Sequence, residues 1–60
     1  MTMRAGDRAI FTLYNDVIGV VTLLADVSSQ YDDYKWSIKA DDGRSFVARE
    51  DELEILQWQN

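Results

Sequence analysis

The sequence predicts a small all-β domain, a five-stranded antiparallel barrel with a short helical turn before the last strand. Two observations lead to this prediction. Short segments in which apolar and polar residues alternate recur along the chain, and residues that favour turns separate them, as in small sandwiches and barrels. Sixty residues suffice for one domain only, so we expect a single barrel over residues 1–60 with its core at about residues 6–56.

The first two predicted strands flank a short turn. Gly6–Asp7 is interpreted as a turn that leads into a strand over Arg8–Tyr14, with one face formed by Ala9, Phe11 and Leu13. Asn15–Asp16 is a natural turn pair. Val17–Leu24 is rich in β-branched residues and predicts the second strand, but it is apolar on both faces, so alternation does not identify its inward side. Gly19 within it indicates a bend or the close approach of another backbone.

The middle of the chain predicts a loop and a hairpin. Residues 26–33 form the most polar stretch and are interpreted as a loop. Tyr34–Ala40 is the clearest strand, with an inward face of Tyr34, Trp36, Ile38 and Ala40 and a polar outer face. Asp41–Gly43 predicts a hairpin turn in which the glycine adopts the left-handed conformation. Arg44–Arg49 returns as the partner strand, and Phe46 joins Phe11 and Trp36 as expected core aromatics.

The end of the sequence leaves two alternatives open. In the first, Glu50–Glu52 makes one helical turn and Leu53–Leu56 forms the strand that closes the barrel. In the second, a helix runs over Glu50–Gln59 with acidic residues in its first turn. Trp58 lies beyond the last predicted strand, where it either packs on the barrel or serves as an exposed anchor for a partner.

Several short motifs resemble the SH3-like barrels of the KOW and Tudor type. The matching segments are Gly6-Asp7-Arg8-Ala9, Ile18-Gly19-Val20-Val21, Tyr34-Lys35-Trp36, Asp42-Gly43 with Phe46, and Glu52-Leu53. The resemblance implies an SH3-like fold and a binding role, because members of this family bind nucleic acids, ribosomes, methylated side chains or peptides. Small members that stand alone resemble accessory proteins of bacteria and their phages. The chain departs from the nucleic-acid branch because it has no basic patch.

Composition excludes most catalytic chemistry. The chain has no histidine and no cysteine, so it lacks the usual general base, any thiolate ligand and any disulfide. The acidic pairs Asp32–Asp33 and Asp41–Asp42 and the run Glu50–Glu52 lack the spacing of a calcium loop and are interpreted as solvated turns. We therefore expect no enzymatic activity, no metal and no cofactor. Val17–Ala25 is too short to span a bilayer and no signal peptide is visible, so we expect a cytoplasmic protein.

The distribution of charge indicates a partner. The net charge is −5, and residues 26–60 carry all of it, which favours cationic partners over phosphate backbones. Aromatic residues stand beside acids near the predicted strand ends, and we expect a partner-binding rim formed by Tyr14, Asp16, Tyr31, Asp32, Asp33, Tyr34 and Trp58. The expected partner is a protein with a basic or flexible surface. Alternatives are a KOW-like barrel that binds nucleic acid and an acidic mimic of nucleic acid. A homodimer is also compatible with so short a chain.

Overall fold

In the computed structural model, which describes residues 3–56, five antiparallel strands form one sheet and no α-helix is present in that range. The elements are β1 (Arg8–Leu13), β2 (Asp16–Asp26), β3 (Trp36–Ala40), β4 (Ser45–Ala48), a 3-10 turn (Glu50–Glu52) and β5 (Leu53–Ile55). Neighbouring strands follow the order β4-β3-β2-β1-β5, so the last strand returns to pair with the first. This arrangement confirms the predicted all-β, barrel-like fold with a helical turn before its last strand.

Strand β2 is the longest element and belongs to both halves of the sheet. It pairs with β1 over residues 16–22 and with β3 over residues 21–26. The β1–β2 register shifts between Phe11 and Thr12, opposite Gly19, whose φ is +135°. A Cβ placed on Gly19 would meet nothing within 4 Å. The glycine is therefore needed for the bent backbone, and not for the close approach of another chain segment.

The inward face of β2 is the feature that alternation left undetermined. Val21 and Leu23 are fully buried, whereas Leu24 points outward and is 47% exposed. They pack with the buried residues that the sequence predicted on the other strands, namely Ala9, Phe11, Trp36, Ile38 and Ala40. Phe46 packs partly buried against this core, with its ring 5.1 Å from that of Phe11. The three expected core aromatics are thus confirmed.

The hairpin turns follow glycine and asparagine chemistry, with one shift. The β1–β2 turn is formed by Tyr14 and Asn15, which have φ values of +51° and +68°, and not by Asn15 and Asp16 as predicted. Two successive residues with left-handed backbone conformation match the right-handed twist of the flanking strands. The turn therefore ends at Asn15, and Asp16 is the first residue of β2. The β3–β4 hairpin agrees with the prediction, since Gly43 has a φ of +97° and its N–H donates to the Ala40 carbonyl at 2.9 Å.

Strand boundaries differ from the prediction around the β2–β3 loop. Strand β2 continues to Asp26, and β3 begins at Trp36 and not at Tyr34. Trp36 is the first residue of β3 that pairs with both Asp26 and Ala48. Tyr34 precedes this ladder and is 38% exposed, so it belongs to the loop and not to the inward face.

The end of the described chain decides between the two alternatives. Glu50–Glu52 forms a single 3-10 turn, and Leu53 then enters β5, where it is buried opposite Phe11. Pairing with β1 places Leu53 in the core. Over residues 50–56 the helical alternative is therefore wrong, and residues 57–59 lie outside the described range.

Candidate functional site

The β2–β3 loop is anchored by one buried apolar residue. Val27 is almost fully buried, and its N–H donates to the Lys35 carbonyl at 2.8 Å. The Val27 carbonyl accepts hydrogen bonds from the backbone N–H groups of Gln30 and Tyr31, at 2.9 and 3.1 Å. These bonds fix the path of a loop whose other residues are mostly exposed.

Asp26 closes the base of the same loop. Its Oδ1 accepts hydrogen bonds from the Ser28 hydroxyl at 2.6 Å and from the Ser28 backbone N–H at 2.8 Å. Its Oδ2 lies 3.1 Å from Lys35 Nζ. The Ser28 hydroxyl, the Ser28 N–H and then the Lys35 ammonium stabilise the carboxylate and lower the pKa of Asp26 from 3.8 to about 2. An ion pair thus joins the last residue of β2 to the residue that precedes β3.

Residues 31–34, here called the tyrosine–aspartate loop, present aromatic rings and carboxylates together. The rings of Tyr31 and Tyr34 meet edge to face, with centroids 6.1 Å apart and an interplanar angle of 87°. Tyr31 is 44% exposed, and the intervening Asp32 and Asp33 are exposed. Within residues 3–56 neither carboxylate has an ion-pair partner. The fold therefore brings these four predicted site residues into one surface.

Tyr14 lies in the β1–β2 turn and Asp16 is the first residue of β2, so both are separate from the tyrosine–aspartate loop. Tyr14 is 87% exposed and lines a shallow hollow with Arg49, Asp51 and Glu52 of the 3-10 turn. Residues 48–52 also contact the β2–β3 loop, because the Lys35 N–H donates to the Ala48 carbonyl at 3.0 Å. Residues 48–52 thus contact both the β1–β2 turn and the β2–β3 loop. Within the described range, Tyr31 and Tyr34 form an aromatic pair, and Tyr14 pairs with neither of them.

Arg49 is a residue of this surface that sequence reasoning did not single out. Its Nε lies 3.3 Å from Asp51 Oδ1 and its Nη2 lies 3.6 Å from Glu52 Oε2. Its backbone N–H also donates to Glu52 Oε1 at 3.0 Å. An arginine followed closely by three acids, as in Arg49-Glu50-Asp51-Glu52, is the signal that predicts such pairing.

Other acids of the chain are also neutralised by neighbours. Arg8 Nη2 donates to Oδ1 and Oδ2 of Asp41, at 3.0 and 2.9 Å, although the two residues are far apart in sequence. Asp42 accepts from the Arg44 backbone N–H at 3.0 Å and from Arg44 Nε at 2.7 Å, which lowers the pKa of the Asp42 carboxyl. The tyrosine–aspartate loop differs from these places because its two charges have no such partner in residues 3–56.

Three further findings concern the predicted site. Trp58 lies outside the described residues. No group of three potential metal ligands occurs among residues 3–56. The same range contains no helix with the length and apolar character that crossing a membrane requires.

Comparisons with known proteins give no match to a family model, to a curated protein or to a solved structure. The resemblance to KOW and Tudor barrels therefore stays a prediction from the sequence.

Proposed function

We propose that this protein is a non-catalytic binding module that holds a basic or flexible protein surface against its tyrosine–aspartate loop. Tyr14 borders residues 49–52, and together with Asp16 at the start of β2 it forms the second side of the contact. The proposal includes a role as a small accessory protein, of bacterial or phage origin, in the cytoplasm. The observation that carries it is the edge-to-face pair of Tyr31 and Tyr34 around two acids without an ion-pair partner in residues 3–56.

The chemistry of this loop suits a cationic side chain. A guanidinium or ammonium over an exposed aromatic ring gains about 0.5–1 kcal/mol, and a carboxylate beside the ring adds charge attraction. The anchor at Val27 and the Asp26–Lys35 ion pair hold the loop before a partner arrives. Because less ordering is required on binding, more of the contact energy appears as affinity.

The state of the basic side chains favours a protein partner over nucleic acid. Four of them are engaged with acids of the same chain, namely Arg8, Lys35, Arg44 and Arg49. Phosphate contacts need free lysines and arginines clustered on one face. The ion pairs therefore support the proposed protein partner, as does the net charge of −5.

A labelled peptide of five Arg-Gly repeats provides the test, with binding followed by fluorescence anisotropy at low and at physiological salt. We expect the double variant Tyr31→Ala, Tyr34→Ala to weaken binding about tenfold, because two cation–π contacts are lost. Circular dichroism melts check that the variant stays folded. Unchanged affinity in a folded double variant would show that another surface binds.

A charge-matched pair of variants separates the loop from the net charge. Asp33→Asn removes one charge from the loop, and Glu54→Gln removes one charge from β5, outside residues 48–52. We expect Asp33→Asn to weaken binding and Glu54→Gln to have little effect. Equal losses would mean non-specific attraction and would contradict the proposal. Salt-sensitive binding of labelled RNA or DNA, with no binding of the peptide, would favour the nucleic-acid alternative.

A further inference from the structure

Half of strand β2 has an open edge. Residues 16–20 pair with β1 on one side, whereas β3 pairs only with residues 21–26 on the other. No other backbone hydrogen bond within residues 3–56 involves residues 16–20. The outward N–H and C=O groups of this stretch are therefore available to another strand.

A hollow runs beside this edge. One side is formed by Ile18, Gly19 and Val20. The other side is formed by Ala40, Asp41, Asp42 and Arg44 of the β3–β4 hairpin. Val17, at the start of the edge, is 70% exposed. The hollow, and the lack of any atom within 4 Å of a Cβ placed on Gly19, leave space for an extended backbone along β2.

The edge carries little of the protection that sheet edges usually have. Proteins shield such edges with lysine, proline, bulges or covering loops. Residues 16–20 contain no lysine and no proline. The protection within this stretch consists of the charge of Asp16 at its first residue and the bulge opposite Phe11 and Thr12. The bulge interrupts the regular ladder, so an added strand would be short and its binding reversible.

Charge indicates the composition of the strand that fits. Asp16 at the start of the edge has no ion-pair partner in residues 3–56. The hollow is lined by Asp41, Asp42 and Arg44. Arg8 and Arg44 already neutralise these two carboxylates, so Asp16 and the net charge of −5 provide the attraction for basic side chains. The apolar lining of the hollow comes from Ile18, Val20 and Ala40. A strand that alternates basic and β-branched side chains would meet both kinds of surface.

We propose that residues 16–20 of β2 accept an extended peptide segment of alternating basic and β-branched residues by strand addition. Main-chain hydrogen bonds to the open edge provide the pairing, and the hollow beside the β3–β4 hairpin receives alternate side chains. This contact goes beyond the proposed function, because it uses backbone groups of β2 and not the tyrosine–aspartate loop.

The test uses a nine-residue peptide of alternating lysine and valine and amide hydrogen exchange measured by NMR. We expect the peptide to slow exchange of outward amides within residues 16–20. The same peptide with every backbone nitrogen methylated has lost its donors and should not protect them. Protection confined to other strands, or equal binding of the methylated peptide, would overturn the proposal. Slow exchange that grows with protein concentration before any peptide is added would assign the edge to a second copy and overturn it also.

Two matched variants locate the contact. Val17→Lys places a cation on the open edge, and we expect it to weaken binding of the peptide at least fivefold. Leu24→Lys makes the same change of charge on an exposed residue in the stretch of β2 that already lies beside β3, and affinity should stay within twofold. Equal loss in both variants would contradict the assignment. Tyr31→Ala with Tyr34→Ala should leave this binding intact, which separates its outcome from that of the proposed function.

Discussion

The turn between β1 and β2 stores backbone strain under an exposed side chain, and its relief can be measured. Tyr14 has a φ of +51°, a region that bulky residues rarely occupy because Cβ crowds the backbone. Asparagine tolerates this region because its short side chain bonds locally. Replacing Tyr14 with asparagine should therefore stabilise the hairpin.

The expected change in the free energy of unfolding for Tyr14→Asn is the difference between two opposing effects. Relief of a left-handed conformation at one residue contributes on the order of 1 kcal/mol. Because Tyr14 is 87% exposed, loss of its ring costs only about 0.3 kcal/mol of apolar burial. The net gain is about 0.7 kcal/mol, which raises Tm by roughly 3–6 °C in a domain of this size.

Thermal melts followed by circular dichroism measure this gain, with Tyr31→Asn as the control. Tyr31 is also an exposed loop tyrosine, but its φ is not positive, so the same substitution should bring no increase in Tm. A lower or unchanged Tm for Tyr14→Asn would refute the reasoning, since it would mean that the ring packs or that the turn is not left-handed. If Tyr14→Asn gains stability but loses affinity for the Arg-Gly peptide, the Tyr14 ring contributes to binding at a cost in stability.

Three further predictions concern stability. The pKa of Asp26 is lowered to about 2, so its ionised form contributes fully to the free energy of unfolding above the ordinary value of 3.8, and this contribution is lost as the pH falls through about 2. Urea titrations at decreasing pH should therefore show a smaller loss of stability for Asp26→Asn than for the parent chain. Gly43→Ala should cost about 1–2 kcal/mol because the residue has a φ of +97°, and a normal urea midpoint would contradict this. Ile38→Val should cost about 1 kcal/mol because Ile38 is fully buried, whereas Val17→Ala on the surface should cost almost nothing in the same urea titration.

Much of the fold was predictable because local patterns and tertiary packing agree. Alternation identified Ala9 and Phe11 on β1 and Trp36 and Ile38 on β3 as buried, since a half-buried strand repeats every two residues. Asp42-Gly43 identified a hairpin because few residues other than glycine readily adopt a positive φ. These signals act over a few residues and need no knowledge of the partner strands.

The candidate site was predictable in part for the same reason. The composition of residues 31–34 placed two tyrosines and two acids in a polar loop, and the fold keeps them together. Arg44 and Arg49 pair with acids within three residues of them. Arg8 pairs with Asp41, which is far away in sequence, and local spacing gives no sign of such a partner. Sequence alone therefore listed the acids but could not separate those with partners from those without.

By itself, the sequence determined the all-β class and most strand cores, because these follow from side-chain period and backbone preference. The choice between a helical turn and a helix after Arg49 needed the structure, in which Leu53 pairs with Phe11 of β1. Only the tertiary structure decided which face of β2 is buried, since both faces are apolar and cross-strand register alone distinguishes them. It also decided that the β1–β2 turn falls on Tyr14 and Asn15, because the twist of the paired strands requires two left-handed residues there. The open edge of β2 is likewise a tertiary property, because it depends on where the pairing with β3 begins.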